Sequence, residues 1–243
     1  NCNIIINSFY SSLKLEKIDS YQDFLKRSLY DLSIFLDKIK GVKIRKIIYS
    51  SSSSIYNSIN DYDFKDERNR KMYSSTKYNA ENLIKNFCIK NKINLCITRI
   101  FNIFGESERF SVVAKIIDSF KNQNNTLKLI NNGNSIRDFV HIKEVINIYK
   151  KIIQNNKNGI VDIGSGYGTK INEIINCLGA KNFNLKNIIK DEAQSSIGYN
   201  SIIKRNEKNS LENFIKLKLK LSKKPKFKRY FSKRRNFIQD YLQ

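Results

Sequence analysis

Proline and glycine are scarce in this chain. One proline, Pro225, and nine glycines serve 243 residues, and no glycine precedes Gly41. A Pro/Gly/Ser-rich linker is therefore excluded. The four cysteines, Cys2, Cys88, Cys96 and Cys177, stand far apart with no C-x-x-C pair. That spacing rules out a zinc ribbon and offers no disulfide framework, so a reducing, cytoplasmic setting is expected. The single histidine, His141, leaves little material for Ser–His or metal–His chemistry. It is read as a packed or capping residue with no catalytic role, and no metal site is expected. No apolar run approaches the roughly 18 residues of a membrane span, which excludes an integral membrane protein. Residue 1 is Asn, and the stretch after it has neither a basic nor an apolar leader region, so it is not expected to be a signal peptide.

What is present begins with apolar and aromatic side chains: 40% of the chain is hydrophobic, with 15 Phe and 13 Tyr. That suffices for a packed core, and the length suits one large domain or two small ones. The net charge of +23 could advertise nucleic acid. Its distribution argues otherwise. Residues 211–243 hold eleven Lys/Arg against the acids Glu212 and Asp240, and the rest of the excess is spread thinly among Asn and Ile. No nucleic-acid partner is expected. The tail 216–243 reads as a solvated basic segment or as one weakly attracted to anionic surfaces.

Hydrophobic spacing supplies the architecture. Residues 3–9 read as a strand; Leu25, Leu29, Leu32, Leu36 and Ile39 mark an amphipathic helix over 20–40, closed by Gly41. A strand at 46–50 runs into five serines, and a helix at 73–91 places Leu83, Ile84, Phe87 and Cys88 inward. Strands at 93–98, 126–130 and 159–163 and helices at 111–121, 142–153 and 171–178 follow, with a turn at Asn132-Gly133. Strands alternating with helices predict an α/β fold, a parallel sheet flanked by helices.

The chemistry concentrates where a strand end rich in serine is followed by Tyr73-Ser-Ser-Thr-Lys77. A spacing of four puts Tyr73 and Lys77 on one helix face. An ammonium beside a phenol favours the phenolate and is expected to lower its pKa from about 10 toward the range of a general base. Ser52 can hydrogen-bond the same substrate oxygen. Such a group suits proton removal from an alcohol undergoing oxidation. The spacing alone is weak, since Tyr10/Lys14 also matches it; the upstream KIIYSSSSSIY and the continuing Ala80-Glu81 single out Tyr73/Lys77.

IIYSSSSSIY, YSSTKYNAE, RIFNIFG, NGNSIRDFVHIKEV and DIGSGYGTKI occur in this order. They resemble the successive motifs of the extended short-chain dehydrogenase/reductases, specifically the NAD-dependent nucleotide-sugar epimerase/dehydratase family. The likeness covers residues 1 to about 180 well and 190–220 faintly. It implies a partial Rossmann-like sheet with a small C-terminal substrate-binding portion. It also implies a catalytic set of Ser52, Tyr73 and Lys77, of which Tyr73 and Lys77 also bind the cofactor, NAD or NADP. Ser52, Asn102 and Arg137 would bind the nucleotide-sugar substrate, Arg137 gripping its diphosphate as a planar bidentate cation. A core-edge ion pair is the alternative role for Arg137. Helices 20–40 and 73–91 resemble those that pair in family dimers, so a homodimer is implied, with burial inside the monomer as the alternative.

Several positions depart from the family pattern. Met72 and Glu106 stand where proline is usual, Asn57 where glycine is usual, and no acidic pair follows Ser52. The last departure disfavours dehydration and leaves epimerisation or keto reduction, in a polysaccharide-building context. The Gly-rich strand–turn–helix that cradles the cofactor pyrophosphate is absent, so roughly 60 further residues, two βαβ-scale units, are expected before residue 1. On that expectation residues 1–110 are the later part of a dinucleotide-binding domain and 111–215 a substrate-binding portion interleaved with late Rossmann elements. The chain would be an N-terminally truncated epimerase or keto-reductase with poor affinity for the dinucleotide. Two other readings stand beside it. One is a non-catalytic nucleotide-sugar-binding remnant of the fold. The other is an S-adenosylmethionine-dependent methyltransferase, suggested by DIGSGYG, although Thr169 breaks the G-x-G-x-x-G pattern.

Overall fold

The computed structural model describes residues 2–7, 20–58, 68–105, 108–122, 127–130, 133–179 and 188–191. Tyr10, Lys14, Glu106, Asn132 and the basic tail lie outside them. The chain divides into two units: Asn1–Ile100 with Tyr149–Asp162, and Phe101–Ile148 with Ile163–Gln243.

The first unit is built on parallel pairing. Strands β1 (Cys2–Ile6), β2 (Ile44–Ser52), β3 (Asn94–Ile100) and β7 (Gly159–Ile163) form a sheet in the order β1-β2-β3-β7. Each needs a helical crossover to re-enter in parallel, which is why the sequence alternates. Ile47 and Ile48 have no exposed area, and burial of each is worth about 2 kcal/mol. The register places Ser50 opposite Thr98, Ser51 opposite Arg99 and Ser52 opposite Ile100.

The helix expected over 20–40 forms with an interruption. Segments α1 (Tyr21–Leu25) and α2 (Asp31–Lys38) are joined by a π-helical stretch, Lys26–Tyr30. Ser20 caps the start, accepting from the Asp23 amide, and the Ser28 hydroxyl donates to the Phe24 carbonyl. The wider turn shifts the inward face, so Phe24 is buried and Leu25 is exposed, contrary to the expected leucine stripe. The helix ends at Lys38 with Ile39 as its cap, and Gly41, expected to close it, instead supplies at φ +86° the left-handed residue of the turn that follows, where the Val42 amide donates to the Ile39 carbonyl (3.1 Å).

Helix α4 (Arg68–Lys90) follows the short α3 (Ile55–Ser58). Its buried face carries Lys77, Ala80, Glu81, Ile84 and Cys88; Leu83 is exposed, a correction to the expected inner face. Ile84 and Cys88 pack with Ile47, Tyr49, Ile97, Leu32 and Leu36. Two polar residues reach the end of α6 (Ile142–Gln154): the buried Lys46 ammonium donates to the carbonyls of Ile152 (3.2 Å) and Lys157 (2.9 Å), and Arg45 donates to Ile153. These cations satisfy carbonyls that a helix C-terminus leaves unpaired.

The second unit has its own core of Phe104, Val113, Ile116, Leu129, Phe139, Ile171 and Ile174. Strands β4 (Asn102–Phe104), β6 (Ile136–His141) and β8 (Gly168–Lys170) form one sheet, with β4 parallel and β8 antiparallel to β6. Strands β5 (Leu127–Ile130) and β9 (Ile188–Asp191) pair in parallel. Helices α5 (Val112–Lys121) and α7 (Ile171–Gly179) supply much of the apolar packing. Strands β4, β6, β8 and β9 carried no sequence prediction, because segments of three to six residues offer too little period to read. No helix among the described residues is long and apolar enough to cross a membrane.

Candidate active site

Strand β2 delivers the serines, and α4 delivers the phenol and the ammonium. At the strand end Ser53 donates its amide to the Ile100 carbonyl (3.1 Å), holding the exit against β3. The Ser54 amide donates to Ser52 Oγ (3.2 Å), which fixes that hydroxyl at the turn. Ser52 is also hydrogen-bonded to Tyr73. Lys77, one helical turn beyond Tyr73, donates from Nζ to the Ser50 carbonyl (3.0 Å). Its Nζ lies 5.1 Å from the centre of the Tyr49 ring and 5.9 Å from that of Tyr73. The structure thus brings Ser52, Tyr73 and Lys77 together within the first unit.

The electrostatics differ from the sequence expectation. Burial raises the Tyr73 phenol pKa, and the Ser52 hydrogen bond works against that rise. Burial lowers Lys77 to about 8, with the Glu81 carboxylate opposing the change. A phenol withdrawn from water favours its neutral form, and an ammonium withdrawn from water does the same. Tyr73 is therefore held neutral and hydrogen-bonded, with the cation one turn away.

Charge and hydroxyl networks surround this group. Arg99 grips Glu81 through two bonds, Nε to Oε1 (3.1 Å) and Nη2 to Oε2 (2.7 Å). The guanidinium lies over the Tyr56 ring at 4.8 Å, and Tyr56 donates to Asp162 (2.8 Å). Burial opposes the charge on Arg99, but the Glu81 hydrogen bond and charge outweigh it and hold its pKa above the ordinary value. Tyr149 from α6 shares 2.6 Å bonds with both Ser50 Oγ and Thr98 Oγ1. Sequence reasoning missed Glu81, Arg99, Thr98 and Tyr149. Glu81 and Arg99 lay inside quoted motifs, yet no spacing links residues 18 positions apart.

Asn102 and Arg137 belong to the second unit. Asn102 Nδ2 donates to the Asp138 carbonyl (3.0 Å), and Arg137 Nη1 donates to the Ile136 carbonyl (3.1 Å). His141 Nδ1 accepts from the Lys143 amide (3.2 Å) at the start of α6, and its ring meets Phe104 edge-on at 5.2 Å. It caps and packs.

The glycine-rich segment after β7 has a different job from a methyltransferase cofactor loop. The buried Asp138 carboxylate accepts from the Ser165 amide (2.7 Å), the Ser165 hydroxyl (2.6 Å) and the Gly166 amide (2.8 Å). Gly166, at φ +81°, lets the turn present its amide there. The segment then enters β8 rather than a helix. Two of its amides are thus spent on an internal carboxylate, and the strand–loop–helix that a cofactor loop needs does not form.

Comparison with known proteins places this geometry. The model of the NAD dependent epimerase/dehydratase family matches residues 2–164. The ADP-L-glycero-D-manno-heptose-6-epimerase of Brachyspira hyodysenteriae is 31% identical over 60% of this chain and 48% of its own length. The chain thus spans about half the length of that curated relative. Among solved structures, the UDP-glucuronic acid 4-epimerase of Bacillus cereus, in complex with UDP-glucuronic acid and NAD, superposes with a TM-score of 0.70 at 18% identity. That match covers 88% of this chain and 72% of the other. RMD from Pseudomonas aeruginosa, complexed with NADPH, gives 0.67 at 18% identity, over 90% and 80%. At these identities the structures speak for the fold: a Rossmann-like parallel sheet flanked by helices.

Proposed function

Because this chain belongs to the NAD dependent epimerase/dehydratase family, we propose that it acts in NAD- or NADP-dependent epimerisation or keto reduction of a nucleotide-activated sugar. The observation that carries the reading is the hydrogen-bonded Ser52–Tyr73 pair with the Lys77 ammonium one helical turn away. This donor set fits the cofactor. Lys77 has three N–H bonds, and one is committed to the Ser50 carbonyl, so it suits a ribose diol beside the Tyr73 hydroxyl. Tyr73 and Lys77 would hold the cofactor, which supplies the hydride acceptor and donor when bound.

The chain's own residues handle the proton. Tyr73 Oη, neutral in the buried site, must first give up its own proton; as phenolate it then takes the proton of the sugar hydroxyl as that carbon is oxidised, and returns it when the carbonyl is reduced. Ser52 Oγ, already bonded to Tyr73, donates to the same sugar oxygen as charge develops on it. Lys77 favours the phenolate through its positive charge. Asn102 and Arg137 bind the substrate, the half-buried guanidinium pairing with diphosphate oxygens.

The reading extends to assembly and compartment. Tyr21, Leu25 and Tyr30 on the first helix and Tyr78, Leu83 and Ile89 on α4 are exposed, which supports a homodimer through those helices. The free thiols of the buried Cys88 and Cys96 fit a reducing cytoplasm.

The test is incubation with excess NAD or NADP and a panel of UDP-, ADP- and dTDP-sugars, with products resolved by chromatography and NMR. Interconversion of sugar epimers, or reduction of a keto sugar, is the expected result. Sugar-nucleotide binding without turnover would establish the non-catalytic alternative. Neither binding nor turnover would overturn both.

A further inference from the structure

Glu81 and Arg99 form a buried ion pair directly behind the proposed proton-handling group. Glu81 is 3% exposed and Arg99 9%, and the guanidinium fork engages both carboxylate oxygens. As a stabilising device such a pair is poor, because the desolvation of two charges commonly cancels their attraction. Its location suggests another use. Glu81 follows Lys77 by four residues on α4, so the helix stacks the two side chains on one face.

We propose that Glu81, pinned by Arg99, is the positioning residue that keeps the Lys77 ammonium charged where the Ser50 carbonyl holds it, one turn from Tyr73. The proposal rests on the reading of Tyr73 as the base.

The groups that face Lys77 leave this task to Glu81. From α4 come Tyr73 and Glu81; from β2 come the Tyr49 ring and the Ser50 carbonyl. Behind them stand Thr98 and Tyr149, both neutral hydroxyls, and Arg99 on β3. Asp162 is engaged at the far end by Tyr56. Among the described residues Glu81 is the carboxylate whose charge opposes the loss of the Lys77 proton.

Arg99 has the complementary part. A carboxylate one turn from a lysine ordinarily captures it in a direct pair. With both oxygens of Glu81 in the guanidinium fork, Glu81 acts on Lys77 through space, and Lys77 Nζ bonds the Ser50 carbonyl instead. The fork therefore separates two functions: Glu81 supplies charge, and the strand carbonyl supplies direction. Tyr56 completes the brace, carrying the guanidinium on its ring and anchoring to β7 through Asp162.

The test reads Lys77 directly, by NMR titration of carbon-13-labelled lysine side chains, with Lys77→Arg assigning the signal. In Glu81→Gln the Lys77 midpoint should fall below its value of about 8. A drop of about one pH unit, tenfold in the proton equilibrium, is expected on losing a nearby opposite charge. Glu81→Gln/Arg99→Gln preserves shape and hydrogen bonding without a lone buried charge, and should show the same fall. Arg99→Gln alone frees Glu81 to pair with Lys77 and should raise the midpoint. Opposite shifts in the two single variants are not expected from a purely structural pair. Unchanged midpoints in the double variant, with a native circular-dichroism spectrum, would overturn the proposal. The titration needs no turnover, so the two ideas fail separately. A Tyr73→Phe variant that kept full turnover would sink the reading of the base and leave the Lys77 coupling standing.

Discussion

Strands β2 and β7 both run out into short polar segments of small residues, and the two exits are used in opposite ways. At the end of β2, Ser50 offers its carbonyl to Lys77 and Ser52 its hydroxyl to Tyr73, so the serines meet side chains arriving from α4. After β7, the amides of Ser165 and Gly166 and the hydroxyl of Ser165 are gathered by Asp138 from β6. Small residues at a strand end announce only that something approaches closely. What approaches decides between chemistry and scaffold. A phenol and an ammonium can exchange protons with a ligand, whereas a carboxylate bound to three internal donors is spent.

The contrast can be broken at either exit. The largest effect should come from Tyr73→Phe, which removes the proposed base while leaving the packing of its ring. Turnover should fall by about a thousandfold, while stability falls by no more than one lost hydrogen bond, about 1 kcal/mol. Next, Asp138→Asn should leave activity chemistry untouched and stability badly reduced. Losing carboxylate bonds to three donors should cost about 3 kcal/mol, read by chemical denaturation.

The third test is pH. Lys77 falls from its ordinary 10.5 to about 8 in the folded protein. Between those values the unfolded chain holds a proton that the native protein has released, so stability should rise with pH across that window. The gain should be on the order of 3 kcal/mol, and Lys77→Met should flatten it. Above about pH 10 the raised Tyr73 phenol works in the opposite sense, since the native state then keeps its proton longer.

The smallest effects compare serine with serine. Ser165→Ala removes a hydroxyl that donates to Asp138 (2.6 Å) and accepts from the Tyr167 amide (3.2 Å), and should cost about 1 kcal/mol. Ser51 Oγ is buried with no hydrogen-bond partner among the described residues, so Ser51→Ala should be neutral within about 0.5 kcal/mol. A costly Ser51→Ala beside a silent Ser165→Ala would invert the comparison.

Much of this is legible in the amino-acid sequence. Alternating apolar runs mark the parallel sheet and its helices, since each crossover must bury a face. A spacing of four is enough to align Tyr73 with Lys77 on a helix. Three things escaped that reading. The π-helical stretch moves the buried position from Leu25 to Phe24, and no local pattern declares an added residue in a turn. The short strands of the second unit exist through pairing with one another. The electrostatic sign at Tyr73 also differed, because spacing reports which groups are near and says nothing about water being excluded from both.

The amino-acid sequence by itself determined the α/β class, the Tyr73–Lys77 face and the strand that carries Ser52. Each of these depends on intervals of two to four residues along one element. Tertiary structure alone decided that Arg99 would seize Glu81 behind Lys77, and that Asp138 would consume the amides after β7. Those partners are 18 and about 28 residues apart, and only the register between elements brings them within hydrogen-bond distance.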